Sequence, residues 1–139
     1  MLLQEKYWNN DPWRILVICI LLNRTQGKTA EPVIQAFFKR WPTAEAVEKD
    51  GYEDEIFKVI GRLGLGNVRS RYLNKMSCQY AKYLRKEAGR MDLTTLRLGG
   101  VGKYAYEAWR MFVLGHRDFW PEDKELLKRM KELRQCENA

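Results

Sequence analysis

Apolar residues in this chain recur three and four positions apart, and nowhere do they alternate with polar ones over the length of a strand. A helix buries positions i, i+3, i+4 and i+7, whereas a half-buried strand buries every second residue. Val33, Ile34, Phe37 and Phe38 follow the helical pattern, as do Tyr72, Met76, Tyr80 and Tyr83, and Leu126, Leu127, Met130 and Leu133. Ile15–Leu22 would suit a buried strand by composition. Asp11-Pro12 ahead of it supplies a cap and a proline at the first helical position, and Asn23–Gly27 supplies a loop behind it, so this run also reads as helix. Further helices are expected over Lys28–Arg40, from a Thr43 cap through Lys49, around Ile56–Leu63, over about Asn67–Lys86, before the glycines at 99–102 (Leu96 and Leu98), over Lys103–Leu114, and from Pro121 onward. The fold class is all-α, with about eight helices around one core.

Charge is distributed unevenly over these elements. The chain carries +7. Residues 61–103 hold ten basic residues and two acidic ones, a net charge of +8, and the rest of the chain holds 15 and 16. Clustered Lys and Arg gain by releasing the counterions of a polyanion, so nucleic acid is the natural partner. A solvated basic helix face, an acidic protein or an anionic membrane surface fits the charge alone equally well. The longest apolar run, Ile15–Leu22, falls far short of the ~20 residues a membrane span needs. Met1–Lys6 lacks the charged-then-apolar layout of a secretory signal. Cys19, Cys78 and Cys136 lie 59 and 58 residues apart, which excludes a CxxC metal site and a four-cysteine cluster held by this chain alone. No metal or cofactor is expected, and a reducing intracellular compartment is (nuclear in a eukaryote, cytoplasmic or nucleoid-associated in a prokaryote).

The turn Leu98-Gly99-Gly100-Val101-Gly102-Lys103 closes the basic segment. Glycines let backbone N–H groups approach an anion, and the helix that follows adds its positive end. Gly100, Val101, Gly102 and Lys103 are therefore candidate phosphate contacts, although a bland helix–helix turn has the same composition.

Leu-x-Gly-Val-Gly-Lys before a helix resembles the helix-hairpin-helix motif of the HhH-GPD superfamily of DNA glycosylases. That superfamily has an essential aspartate a set distance beyond the hairpin, and Asp123 lies 21 residues after Gly102. Asp11-Pro12-Trp13, Leu22-Asn23-Arg24-Thr25, Gly27-Lys28, Leu63-Gly64-Leu65, Gly100–Tyr104 and Pro121-Glu122-Asp123 are similar, in order, to the catalytic domain of the methyl-CpG-binding thymine DNA glycosylase branch. The resemblance runs from about Gln4 to Arg134. It implies that residues 1–139 form a single monomeric catalytic domain, without the iron–sulfur cluster of many relatives.

It also implies roles. Asp123 would be the catalytic carboxylate, stabilising an oxocarbenium-like sugar and positioning water, as carboxylates do in sugar hydrolases. Taken alone, an aspartate there is simply a helix-terminal charge. Bifunctional relatives carry a Schiff-base lysine where this chain has Tyr104, and Lys103, one residue away, is turned ~100° around the helix. Base removal without strand cleavage is therefore expected, with Tyr104 in the base pocket beside Gln4 (or Glu5, because the spacing admits one extra residue) and Lys124. Arg24 would fill the space left by the flipped nucleotide, and Leu65 would wedge beside the orphaned guanine. The branch's lysine two places after the aspartate is Glu125 here. The expected partner is double-stranded DNA with a G·T or G·U mismatch, acted on in base excision repair. The alternatives are a passive helix-hairpin-helix DNA clamp, a glycosylase for another damaged base and, least of all, a helical adaptor.

Overall fold

The helix introduced by Asp11-Pro12 is the centre of the molecule. The computed structural model describes residues 1–86 and 98–138. Among the described residues the elements are α1 (Leu3–Tyr7), α2 (Pro12–Leu22), α3 (Gly27–Arg40), α4 (Ala44–Asp50), α5 (Glu53–Ile60), a 3-10 turn at Gly61–Leu63, α6 (Gly66–Lys86), α7 (Lys103–Phe112) and α8 (Lys124–Glu137), with no strand. The all-α expectation is met. The helical segment expected around Leu96, together with Arg90 and Arg97, lies outside the described residues.

In α2 the Asp11 carboxylate accepts from the Trp13 N–H at 3.1 Å, and Pro12 occupies the first helical position. Trp13 and every residue from Ile15 to Leu21 are buried. A helix apolar on all sides has to be surrounded, and α1, α3, α6 and α7 pack around this one. Trp13 meets Phe37 and Phe38 of α3, with ring centroids 6.2 and 5.7 Å away. Its indole N–H donates to Ser77 Oγ of α6 at 2.9 Å, so this buried polar atom is satisfied. Thr43 caps α4 as its sequence position predicts, accepting from the Ala46 N–H at 3.2 Å. Helices α4 and α5 both lie against α6.

The structure departs from the sequence reading at three places. α1 is an additional helix of five residues, too short to show a period. α7 ends at Phe112 rather than Leu114. The last helix starts at Lys124, not Pro121, because the Asp123 carboxylate accepts from the Leu126 N–H and makes Asp123 the cap.

The basic segment is less free than its charge suggests. Arg85 makes a bidentate pair with Glu48 at 2.6 and 2.8 Å, Lys103 pairs with Glu122 at 2.6 Å, and Arg69 is buried. Among the described residues no helix is long and apolar enough to cross a membrane, and no three His, Cys, Asp or Glu side chains gather to hold a metal ion.

Candidate active site

The carboxyl end of α2 opens into a cavity of about 500 Å³, onto which α1, the α2–α3 loop, the start of α7 and the start of α8 converge. Gln4, Arg24, Tyr104, Asp123 and Glu125 all line it. Four of these are residues that the sequence placed in one site, drawn from four separate segments.

Each segment is held by local chemistry. Capping α8 occupies Asp123 Oδ2, at 2.9 Å from the Leu126 nitrogen. The aspartate is half-buried. Its other oxygen takes no hydrogen bond from the described residues, so it is available to the cavity. Gln4 is 1 % exposed. Its Nε2 donates to Tyr104 Oη at 2.8 Å and to Cys19 Sγ at 3.6 Å. Gln4 lines the cavity wall, while Glu5 turns away and takes Arg129 of α8 through two bonds of 2.8 and 2.9 Å. That pair ties α1 to the same helix that Asp123 caps.

Burial sets the protonation of the cavity wall. Burial, reinforced by the nearby Cys19, Asp123 and Glu125, pushes the Tyr104 phenol well above its usual range, although the Gln4 hydrogen bond opposes this. Burial pushes the Cys19 thiol up to about 12, with the Asp123 charge adding to it. Both groups are neutral near pH 7.

Lys124 is exposed and does not line the cavity; Glu125 does. One residue of helix separates them, which is ~100° of rotation. No lysine is among the described residues lining the cavity.

Arg24 and Leu65 lie on two exposed loop tips. Both adopt left-handed backbone conformations, at φ 62° and 52°. That conformation costs a non-glycine residue roughly 1–2 kcal/mol, and such strain gathers at functional positions. Leu65 is 58 % exposed, between Gly64 and Gly66. At the hairpin, Gly100 has φ +79°, and a Cβ there would lie 2.8 Å from Tyr72 Cβ. The Gly99 N–H is already given to Gln79 Oε1 at 3.1 Å. The amides of Lys103 and Tyr104, in the first turn of α7, have no partner within the helix and remain for an anion. Lys103, expected to contact phosphate, is paired with Glu122 in an exposed bridge that an incoming phosphate can replace.

Two buried residues at this site were not picked out from the sequence. Glu107 is one turn beyond Tyr104 on α7, and its Oε1 accepts from the Glu122 N–H at 3.3 Å, holding the segment that leads to Asp123. A carboxylate between Ala105 and Ala108 on an apolar face was its signal. Arg69 joins the two exposed tips, donating through Nη2 to the Asn23 carbonyl and to Thr25 Oγ1. A cation in the first turn of α6, opposed by the helix dipole, was the signal there.

The comparisons with known proteins agree with the resemblance that the sequence carries. Residues 17–139 match the model of the HhH-GPD superfamily base excision DNA repair proteins. The chain belongs to that superfamily. Its relatives include a methyl-CpG-binding domain protein 4-like protein of Arabidopsis thaliana, 37 % identical over 84 % of this chain and 24 % of the relative. A thymine/uracil-DNA glycosylase of Pyrobaculum aerophilum is 34 % identical over 68 % of this chain and 41 % of its own length. The chain thus spans less than half the length of either. A solved thermostable thymine-DNA glycosylase superposes with a TM-score of 0.65 at 29 % identity, covering 78 % of this chain and 50 % of the other.

Proposed function

We propose that residues 1–139 act as one monofunctional DNA glycosylase domain that removes thymine or uracil opposite guanine. The observation that carries this reading is the cavity that holds Asp123 beside the Gln4–Tyr104 pair, with no lysine among its described lining residues. The relatives' names support the substrate class.

In this mechanism the mispaired base leaves the stack, which costs less for a mismatch than for a paired base. Leu65 enters beside the orphaned guanine, and Arg24 occupies the vacated space. The amides of the Gly100–Lys103 turn and its helix hold the flanking phosphate. Gln4 meets the edge of the flipped pyrimidine, and its bond to the uncharged Tyr104 phenol keeps it in place. The bond from the base nitrogen to C1′ breaks, and its electron pair departs with the base. The Asp123 carboxylate stabilises the positive charge left on the sugar and accepts the proton of the water that adds to C1′. With no lysine among the described residues lining the cavity, no Schiff base forms at C1′ in this mechanism and the strand stays intact. Such an enzyme works wherever the cell keeps its DNA.

The test is base release from duplexes carrying G·T, G·U, A·U, other mispairs or only Watson–Crick pairs. Release confined to G·T and G·U is expected. Release of another base would replace the substrate assignment, and tight binding with no release from any duplex would leave only a DNA clamp.

A further inference from the structure

Arg69 lies at the base of both exposed tips and is 4 % exposed. Its backbone N–H donates to the Leu65 carbonyl at 2.9 Å. Its Nη2 donates to Thr25 Oγ1 at 2.6 Å and to the Asn23 carbonyl, 46 residues away in sequence. Asn23 and Thr25 are the two neighbours of Arg24. A single side chain thus brackets Arg24 on both sides, from a residue whose backbone N–H makes the first i→i−4 bond of α6, to Leu65. Its second terminal nitrogen, Nη1, is buried and has no partner among the described residues. An orphaned buried donor is rare in folded proteins, and a side chain chosen only to fill this space would not carry one. The arrangement favours a fixed spacing between the two tips over maximal stability.

We infer that Arg69 is a positioning residue that sets Arg24 and Leu65 at one spacing, so that both enter the DNA stack together. This rests on the glycosylase reading above. Two tips on separate loops can open a duplex in concert only if their separation is held before contact. Small misplacements of groups that must act together are costly in rate. Arg69 itself touches neither the base nor the sugar.

The experiment compares Arg69→Met, Arg69→Lys and Thr25→Val with the parent protein. Thermal melting establishes folding, and fluorescence anisotropy gives duplex affinity. A 2-aminopurine beside the target thymine reports unstacking. Single-turnover base release is measured on a G·T duplex and on a strand whose target thymine is already extrahelical in a bulge. Arg69→Met is expected to lower both the 2-aminopurine signal and release from the duplex by about ten- to a hundredfold. Release from the bulge stays within about threefold of the parent, and Arg69→Met adds less than about threefold in a Leu65→Ala background. Thr25→Val, which removes one bond and keeps the shape, shows the same selectivity at smaller size even if Arg69→Met does not fold. Arg69→Lys, with donors for both acceptors, recovers part of the loss. Equal losses on duplex and bulge, or full additivity with Leu65→Ala, would make Arg69 mere scaffold and overturn the inference. Unimpaired variants beside an active parent would overturn it while leaving the glycosylase reading intact. A parent that releases no base from any substrate would remove both.

Discussion

Gln4 and Tyr104, 100 residues apart in sequence, are joined by a 2.8 Å hydrogen bond in the wall of the cavity that also holds Asp123. Tyr104→Phe leaves the Gln4 amide without that acceptor in a buried site, which costs about 1–2 kcal/mol. Thermal melting will show that loss, and single-turnover base release will fall by about tenfold if the amide is no longer aimed at the base. Because the phenol titrates far above neutrality, the variant and the parent should share one pH profile between pH 6 and 9. A new ionisation in that window would contradict the protonation assigned to Tyr104.

Asp123 does two things that substitution can separate. Its carboxylate caps α8 through the Leu126 N–H. Asparagine caps as well as aspartate, whereas alanine loses about 1 kcal/mol. Asp123→Asn is therefore expected to melt with the parent, and Asp123→Ala several degrees lower. Equal melting of all three would mean that the cap contributes nothing to stability.

The Glu5–Arg129 pair predicts a pH-dependent anchor for α1. Burial alone would raise the Glu5 carboxyl, but the hydrogen bonds from Arg129 and the Leu2 N–H outweigh it and hold the group below its usual value. A carboxyl lowered in the fold contributes stability that is complete above its unfolded pKa of about 4.3 and is lost as pH falls through the folded value. Glu5→Gln should cost about 2 kcal/mol at pH 7. Denaturant unfolding should show that difference shrinking below about pH 4. A difference that stays constant down to pH 3 would rule out the ion pair as its source.

Gly100→Ala tests the hairpin. A side chain there meets Tyr72 at 2.8 Å and must accept φ +79°. The strain is about 1–3 kcal/mol. Relieving it moves the turn, so anisotropy titrations should show weaker duplex binding even under conditions where the variant is fully folded. Unchanged affinity would remove the hairpin from the DNA interface.

The parts of this molecule legible in the sequence are those written in short-range chemistry. Asp11-Pro12 and Thr43 announce helix starts because capping is local. Phe37 and Phe38 announce a buried face because the helical period is local too. α1 was not legible, because five residues carry no period and Leu2 is no cap. α8 starts at Lys124 and not at Pro121, because proline and Asp123 both open helices and only the hydrogen bond to Leu126 chooses between them. The order of blocks from Gln4 to Asp123 singled out Gln4, Arg24, Tyr104 and Asp123, which line one cavity, and also Lys124, which does not. The bonds that hold them (Gln4 to Tyr104, Glu5 to Arg129, Arg69 to Asn23 and Thr25) span long stretches of chain, and no local pattern encodes such contacts. Glu107 and Arg69 left only a faint trace, a carboxylate on an apolar face and a cation at a helix start.

The most direct test of the account is strand breakage on a labelled G·T duplex, read with and without hot alkali for the parent and for Asp123→Asn. Hydrolysis by Asp123 without a lysine nucleophile predicts breaks at the mismatched thymine that need alkali. In the variant they should be slower by at least about a hundredfold. Breaks without alkali, or a variant as fast as the parent, would contradict it.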